Sequence, residues 1–334
     1  MKQSFYFTLT LLIAVLFAAC DHDDTPDGPS IEDRFGPFEL RDSLQVSAES
    51  VDFSEGESIF FTAEFNINLD WRIEITGTES GAFQRIDGFG TELNEDNSRW
   101  AGRTTALPFF KQETCQVVFT LPGRDDYTDT LFVEVLGSRN YPGTLFADFE
   151  EPASNHIELG NFEFELNLPQ TGRTEDITAA EGDFYYSMRG TDDVVPNFFV
   201  GLINISSTIT GETYIQFPTT VPSQLYFNFF VLHDNSPHTI MVIQFAYDTN
   251  DNGQFDDGID ETFAVEGDFP LAHTGWRHFS HPMSATGISQ EKLEKIVAIR
   301  VLLISDNNAQ PTPPLEVGFG IDYMIFTQGA PLQL

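Results

Sequence analysis

Gln224-Leu225-Tyr226-Phe227-Asn228-Phe229-Phe230-Val231 decides the fold. Successive side chains of a strand point to opposite faces. Leu225, Phe227, Phe229 and Val231 therefore share one face, and Tyr226, Asn228, Phe230 and Leu232 share the other. The period is two, and both faces are largely apolar, as in a strand covered on both sides. Residues 240–247 and 296–304 read the same way. Stacked antiparallel sheets built from strands of this length make a jelly roll. The expected fold class is all-β, with the larger, jelly-roll β-sandwich over residues 143–328.

Working outward, nearly every other apolar segment also alternates. Before this region, strand-like runs cover 43–51, 58–65, 71–76, 116–121 and 130–136. Trp71-Arg72-Ile73-Glu74-Ile75 places Trp71, Ile73 and Ile75 on one face. A buried tryptophan in an early strand, within about 100 residues and roughly seven strands, resembles an immunoglobulin-like or PKD-like sandwich. That domain is expected over 38–138, without the antibody-type Cys pair. Arg139-Asn140-Tyr141-Pro142-Gly143 marks the boundary, with Pro142-Gly143 as a turn signal. Helical periodicity is confined to 289–295.

The N-terminal stretch has its own pattern. Lys2 precedes an apolar run from Phe5 to Phe17, and Phe17-Ala18-Ala19-Cys20 closes it with small residues before a cysteine. This is the layout of a secretory signal, too short for a comfortable membrane span. It resembles the bacterial lipoprotein signal, which implies cleavage after residue 19 and lipidation of Cys20. Phe17 departs from the usual Leu of that motif. Several acyl chains on one residue hold a protein on a membrane stably. Residues 20–37 then read as a flexible tether. Its acidic start, Asp21-His22-Asp23-Asp24, resembles the surface-export signal of Bacteroidota lipoproteins. The expectation is an outer-membrane lipoprotein, facing the cell exterior and attached to the membrane through its lipid alone.

Composition sets limits. The chain has 334 residues and a formal charge of −36, from 16 basic and 52 acidic residues. Such a field repels nucleic acid and anionic lipid and suits divalent cations. Strongly acidic polysaccharides are disfavoured as ligands for the same reason, unless calcium bridges them. The second cysteine, Cys115, lies in the strand-like Thr114-Cys115-Gln116-Val117-Val118-Phe119 and reads as a small buried hydrophobe. His273, His278 and His281 do not read as a metal site, because His278 and His281 point to opposite faces of a strand. No nucleophile elbow, zinc-protease motif or phosphate loop is present.

One loop carries metal-like chemistry. Residues 248–261 read Asp-Thr-Asn-Asp-Asn-Gly-Gln-Phe-Asp-Asp-Gly-Ile-Asp-Glu. Calcium takes six to eight oxygens, and oxygen side chains at alternate positions followed by Gly let a chain wrap the ion. Asp248, Asn250 and Asn252 fit that start, while position twelve is Ile259 rather than a carboxylate. Asp256, Asp260 and Glu261 complete the candidate ligands in a loop between two strands. The alternative is a metal-free hairpin loop.

Three short segments resemble the galactose-binding-like jelly roll of many carbohydrate-binding modules. They are Leu145-Phe146-Ala147-Asp148-Phe149-Glu150, Gly275-Trp276-Arg277-His278-Phe279, and Gly318-Phe319-Gly320-Ile321-Asp322-Tyr323-Met324-Ile325-Phe326. The resemblance implies a structural calcium held by Asp148, Glu150 and Asp322, and glycan as ligand. Glycan recognition needs aromatic faces with polar neighbours. Candidates are Tyr226 and Asn228 on one strand, Gln244 and Arg300 inside apolar strands, and Tyr185 with Arg189 on another strand. Trp276 reads as core rather than as a sugar platform.

Tether, spacer and binding module in this order resemble the surface glycan-binding lipoproteins of Bacteroidota polysaccharide-uptake systems. The expected function is non-catalytic glycan binding through a calcium-stabilised jelly roll, with outer-membrane uptake proteins as further partners. One alternative is a surface adhesion or scaffold protein, which a flat, aromatic-poor exposed sheet would favour. A jelly-roll polysaccharide-degrading enzyme is the other.

Overall fold

The computed structural model describes residues 36–151, 157–159, 171–192, 198–235, 238–266, 271–305 and 315–334. The signal segment, Cys20 and the tether up to residue 35 lie outside the described residues. The described residues are all-β, with two short α-helices among them, α1 (Glu95–Ser98) and α2 (Gln290–Leu293).

The N-terminal region uses β1 (Leu40–Val46), β2 (Ser50–Asp52), β3 (Phe61–Gly77), β4 (Phe83–Leu93), β5 (Glu113–Leu121) and β6 (Arg124–Gly137). Where two packed sheets were expected, these strands form one connected six-stranded sheet around a single core, in the order β1-β3-β5-β6-β2 with β4 also on β3. The runs 58–65 and 71–76 join into the single long strand β3, because alternation continues through the buried Ile67. One edge of β3 pairs with β4; the other pairs first with β1 and then with β5. β2 runs parallel to β6. Trp71 is 1% exposed and lies across Gly88 of β4, where any Cβ would sit 2.0 Å from the indole. Cys115 is fully buried in the same core, and burial, helped by the charge of Glu113, pushes its thiol up to about 12.

The second domain is a sandwich of β7 (Thr144–Ala147), β8 (Ile157–Leu159), β9 (Gly172–Thr174), β10 (Tyr185–Asp192), β11 (Phe198–Ser206), β12 (Leu225–Asp234), β13 (Thr239–Tyr247), β14 (Glu261–Glu266), β15 (Thr274–Pro282), β16 (Ile296–Ser305) and β17 (Leu315–Gln328). One sheet has the order β15-β12-β17-β10-β9, with β7 also on β17; the other has the order β14-β13-β16-β11-β8. Between them, Phe227, Phe229 and Val231 of β12 meet Met241, Ile243 and Phe245 of β13 and Ile299, Val301 and Leu303 of β16. Each such side chain contributes about 1.5–3 kcal/mol by leaving water.

The outer face of β12 is covered too, in part by a segment of the N-terminal region. Phe109, from the segment between α1 and β5, joins Tyr141, Phe230, Tyr323, Ile325 and Leu332 in one apolar cluster. Its ring stacks on Tyr141 at 4.4 Å and meets Phe230 edge-on at 5.2 Å. Its N–H donates to the Ala180 carbonyl at 2.8 Å, and Lys111 pairs with Asp183 at 2.8 Å. This is why β12 is apolar on both faces: one face is the sandwich core, and the other is covered by Phe109 at Phe230, by Ala179 and Trp276 at Leu232, and by the C-terminal Leu332 at Asn228.

Candidate functional site

Packing of the second domain's own segments on the outer face of the β12 sheet removes part of the expected ligand set. Asn228 is fully buried. Its Nδ2 donates to the Ile325 carbonyl and to Thr327 Oγ1, while its Oδ1 accepts from the Leu332 N–H. A satisfied buried amide has nothing left for a sugar, so Asn228 is structural. Tyr185 is likewise fully buried; its hydroxyl donates to Asp176 and its ring meets Trp276 edge-on at 5.4 Å. Arg189 shares that face of β10, within electrostatic reach of Asp176, and its backbone N–H donates to Thr171 Oγ1 at 3.2 Å. Tyr226 is half-buried on the Asn228 face. These four residues belong to the outer face of the β12 sheet, not to one site with Gln244 and Arg300. Trp276 Nε1 donates to the Thr178 carbonyl at 2.7 Å, in line with its structural reading.

Gln244 and Arg300 do meet, on the outward face of the other sheet. They are cross-strand partners between β13 and β16, and Asn204 of β11 is the partner of Arg300 on its far side. Arg300 Nε donates to Asn204 Oδ1 at 3.0 Å, and Nη1 reaches Gln244 Oε1 at 3.4 Å. All three residues are half-buried. Burial pushes the Arg300 guanidinium below its ordinary value, and Asp257 partly offsets this. Asn204 was missed from sequence, although it carries the signal that singled out its two partners: a polar side chain inside an apolar strand.

The rows flanking this triplet are apolar. Val242, Leu302 and Leu202 form one row, and Ala246, Ala298 and Ser206 form the other in register. Phe255 closes the second end. It packs on Ala246, Val297 and Ala298, and the Arg300 guanidinium stands 4.9 Å from its ring centroid. The described face is thus aliphatic with a polar stripe, rather than paved with tyrosine or tryptophan.

Phe255 comes from the acidic loop. Asp248 is fully buried at its root. Its carboxylate accepts from the N–H groups of Asn250 at 3.1 Å and Gly253 at 2.8 Å, and from the Tyr214 hydroxyl at 3.2 Å. Burial is the largest single effect and raises the carboxyl, but these bonds together outweigh it and hold Asp248 below the usual carboxylate range. Gly253 adopts φ of +77°, a left-handed conformation that favours glycine. Asn250 donates to Asp256 at 2.8 Å, and Asp260 accepts from the N–H groups of Thr249 and Asp256. Five of the six expected ligands therefore converge. Glu261 does not: it pairs with Lys292, outside the loop.

Asp148, Glu150 and Asp322 also gather, and Glu181 joins them. Asp322 is fully buried and accepts from the N–H groups of Glu181 at 3.0 Å and Tyr323 at 2.7 Å. Glu150 accepts from the N–H groups of Asp183 and Phe184, each at 2.9 Å. Burial, then the charges of Glu150, Asp148 and Asp183, push Glu181 up to about 7. Asp322 is raised by burial and by Glu181. Glu181 was missed because it lies in a segment without periodicity. Among the described residues, no three His, Cys, Asp or Glu side chains are arranged to hold a metal ion.

No family model matches the sequence, and no curated protein matches it. Among solved structures, the CBM22-1 xylan-binding domain of Paenibacillus barcinonensis Xyn10C is 11% identical over 57% of this chain and 99% of that one, with a TM-score of 0.32. The family 11 carbohydrate-binding module of Clostridium thermocellum, in complex with a β-1,3-1,4-mixed-linked tetrasaccharide, is 14% identical over 57% of this chain and 98% of that one, with a TM-score of 0.34. A structure with a xylogluco-oligosaccharide is 13% identical over 86% of this chain and 58% of that one, with a TM-score of 0.39. At these identities and scores, the likeness carries no argument about what this chain binds.

Proposed function

We propose that this chain is a lipid-anchored cell-surface protein whose second domain binds glycan without catalysing a reaction. The observation that carries this reading is the Asn204–Arg300–Gln244 stripe, laid across three strands of a half-exposed sheet face. Hydrogen-bond donors at the strand spacing of about 4.8 Å suit an extended chain of repeating units. The first domain acts as an immunoglobulin-like spacer seated on the opposite sheet, so the stripe faces away from it. The lipid on Cys20 supplies the anchor.

Calcium is part of the proposal at both carboxylate groups. Asp248, Asn250, Asn252, Asp256 and Asp260 are an all-oxygen set, the donor chemistry that a hard cation takes. Binding there exchanges the loop's internal hydrogen bonds for coordination and fixes Phe255 at the edge of the face. Asp148, Glu150, Glu181 and Asp322 form a second all-oxygen set. Burial and then the neighbouring carboxylates raise Glu181, and a cation there offsets the second of these.

The aliphatic character of the face favours a second reading, a surface adhesion or scaffold protein contacting another protein. A glycan array spanning neutral and acidic polysaccharides, run with calcium and again with chelator, separates the two. Glycan binding predicts retention of one polysaccharide class, weakened about tenfold or more in Arg300→Ala and Gln244→Ala, as expected for loss of charge-assisted or buried hydrogen bonds. No retention in either condition moves the conclusion to the adhesion reading.

A further inference from the structure

Two imidazoles meet at one end of the second domain, and neither takes part in the sites above. His233 lies on the face of β12 that carries Phe229 and Val231, and is 3% exposed. His273, just ahead of β15, has its ring centroid 5.6 Å away. Backbone groups fix which nitrogen of each ring carries hydrogen. His233 Nδ1 accepts from the Asn235 N–H at 3.1 Å, so the neutral ring bears its hydrogen on Nε2. His273 Nε2 stands 3.1 Å from the Val231 carbonyl, which can only accept, so this nitrogen donates and Nδ1 keeps a lone pair. His233 Nε2 and His273 Nδ1 are both buried, and neither makes a hydrogen bond among the described residues.

A proton added to His273 Nδ1 therefore meets no acceptor, and a second N–H faces it from His233. Among the described residues, the charged groups acting on the pair are Arg277 of β15 and Asp234 of β12. Arg277 opposes the new charge, and the Asp234 carboxylate is 3.8 Å from His233 Nε2 and 84% exposed. Burial first, with His233 and Arg277 adding to it, holds His273 below its ordinary 6.5 against the opposing bond to Val231. The proton is accommodated by moving His273 into water. Its N–H donates to the Leu271 carbonyl, and Thr274 and Gly275 pair with Asp234 and His233, so residues 271–275 leave as one piece. β15 lies at the edge of its sheet, where opening displaces no second strand.

We infer that the His233–His273 pair is an acid-operated catch. Proton uptake at His273 frees residues 271–276 from β12 while β13 and β16 stay folded, and bares Trp276 and the adjoining edge of β12. The test is hydrogen exchange of the full chain between about pH 7.5 and about pH 5, read as protection factors so that the intrinsic pH dependence cancels, with acrylamide quenching of tryptophan alongside. Trp71 and Trp100 are each 1% exposed, so quenching follows Trp276. One proton taken up on opening changes the opening constant by at most about tenfold per pH unit below about 6.5. The expected result is a loss of protection of about fivefold to thirtyfold at 271–276, with more quenching, and a change below about twofold in β13 and β16. His273→Gln keeps a donor for Val231 and takes no proton, so its profile is flat; His278→Gln retains the wild-type response. Protection that stays level at 271–276, falls equally in β13 and β16, falls as much in His273→Gln as in wild type, or stays level in His278→Gln alone overturns the inference. If His273→Gln does not melt cooperatively, His233→Asn replaces it, since it keeps an acceptor for Asn235 and removes the facing N–H. A response at least halved is then expected, and an unchanged one overturns the inference.

Discussion

Phe109→Ala tests whether the two domains are one mechanical unit. Phe109 is 5% exposed, with Tyr141, Phe230 and Tyr323 at ring-centroid distances of 4.4, 5.2 and 5.6 Å. Truncating a buried phenylalanine to alanine costs about 3–5 kcal/mol. The backbone bond to Ala180 survives, because alanine keeps its N–H, so the loss is that of the ring alone. Phe109 is absent from the core cluster of the N-terminal region, so the loss falls on the contact between the domains and not on that core. Hydrogen exchange read peptide by peptide across a urea titration follows each domain separately. In the wild type, both unfold at one midpoint, since an apolar, well-packed interface couples domains that would otherwise move independently. In Phe109→Ala, the second domain unfolds earlier, by a free energy approaching that range. A change below about 1 kcal/mol, or an equal shift of both domains, would refute the reasoning.

Other consequences are measurable. Glu181 is raised from 4.5 to about 7, so the folded state holds its proton more tightly than the unfolded chain, and stability falls as pH rises through that interval. Glu181→Gln is therefore expected to melt higher than wild type at pH 8 in chelator, and to gain less from added calcium; a lower melting temperature contradicts this. His278, stacked on Phe230 at 5.0 Å, is lowered from 6.5 to about 4 by burial, the opposite sign. Its contribution is complete above pH 6.5 and is lost as pH falls towards 4, so His278→Gln flattens the stability profile in that window, at most by about 1.4 kcal/mol per pH unit. Cys20→Ala is expected to move the protein from the membrane to the soluble fraction on cell fractionation; retention in the membrane would exclude a lipid anchor at that residue.

Much of the fold was legible because alternation is a local signal. The apolar faces of β12, β13 and β16 are written in consecutive residues, and so is the Trp71 face of β3. What covers the second face of β12 is not local. Phe109 and Leu332 come from distant parts of the chain, and no periodicity announces them. The same limit divides the candidate ligand residues. A polar side chain in an apolar strand is satisfied either by protein or by something that binds. Asn228 turned out to be the first case, with Ile325, Thr327 and Leu332 as its partners. Arg300 keeps unused donors. The sequence presents both alike, because the difference lies in which element packs above them. Glu261 illustrates a finer limit: one residue beyond Asp260, the strand begins and the side chain turns to Lys292.

Glycan is proposed to lie on the β13–β16–β11 face. Hydrogen exchange of the full chain, with and without the polysaccharide selected on the array, tests it most directly. Glycan on this face adds protection in β11, β13 and β16 and in the loop carrying Phe255, with β12 and β17 unchanged. Protection centred on Tyr226 and the β12 sheet, or on the N-terminal region, would contradict it.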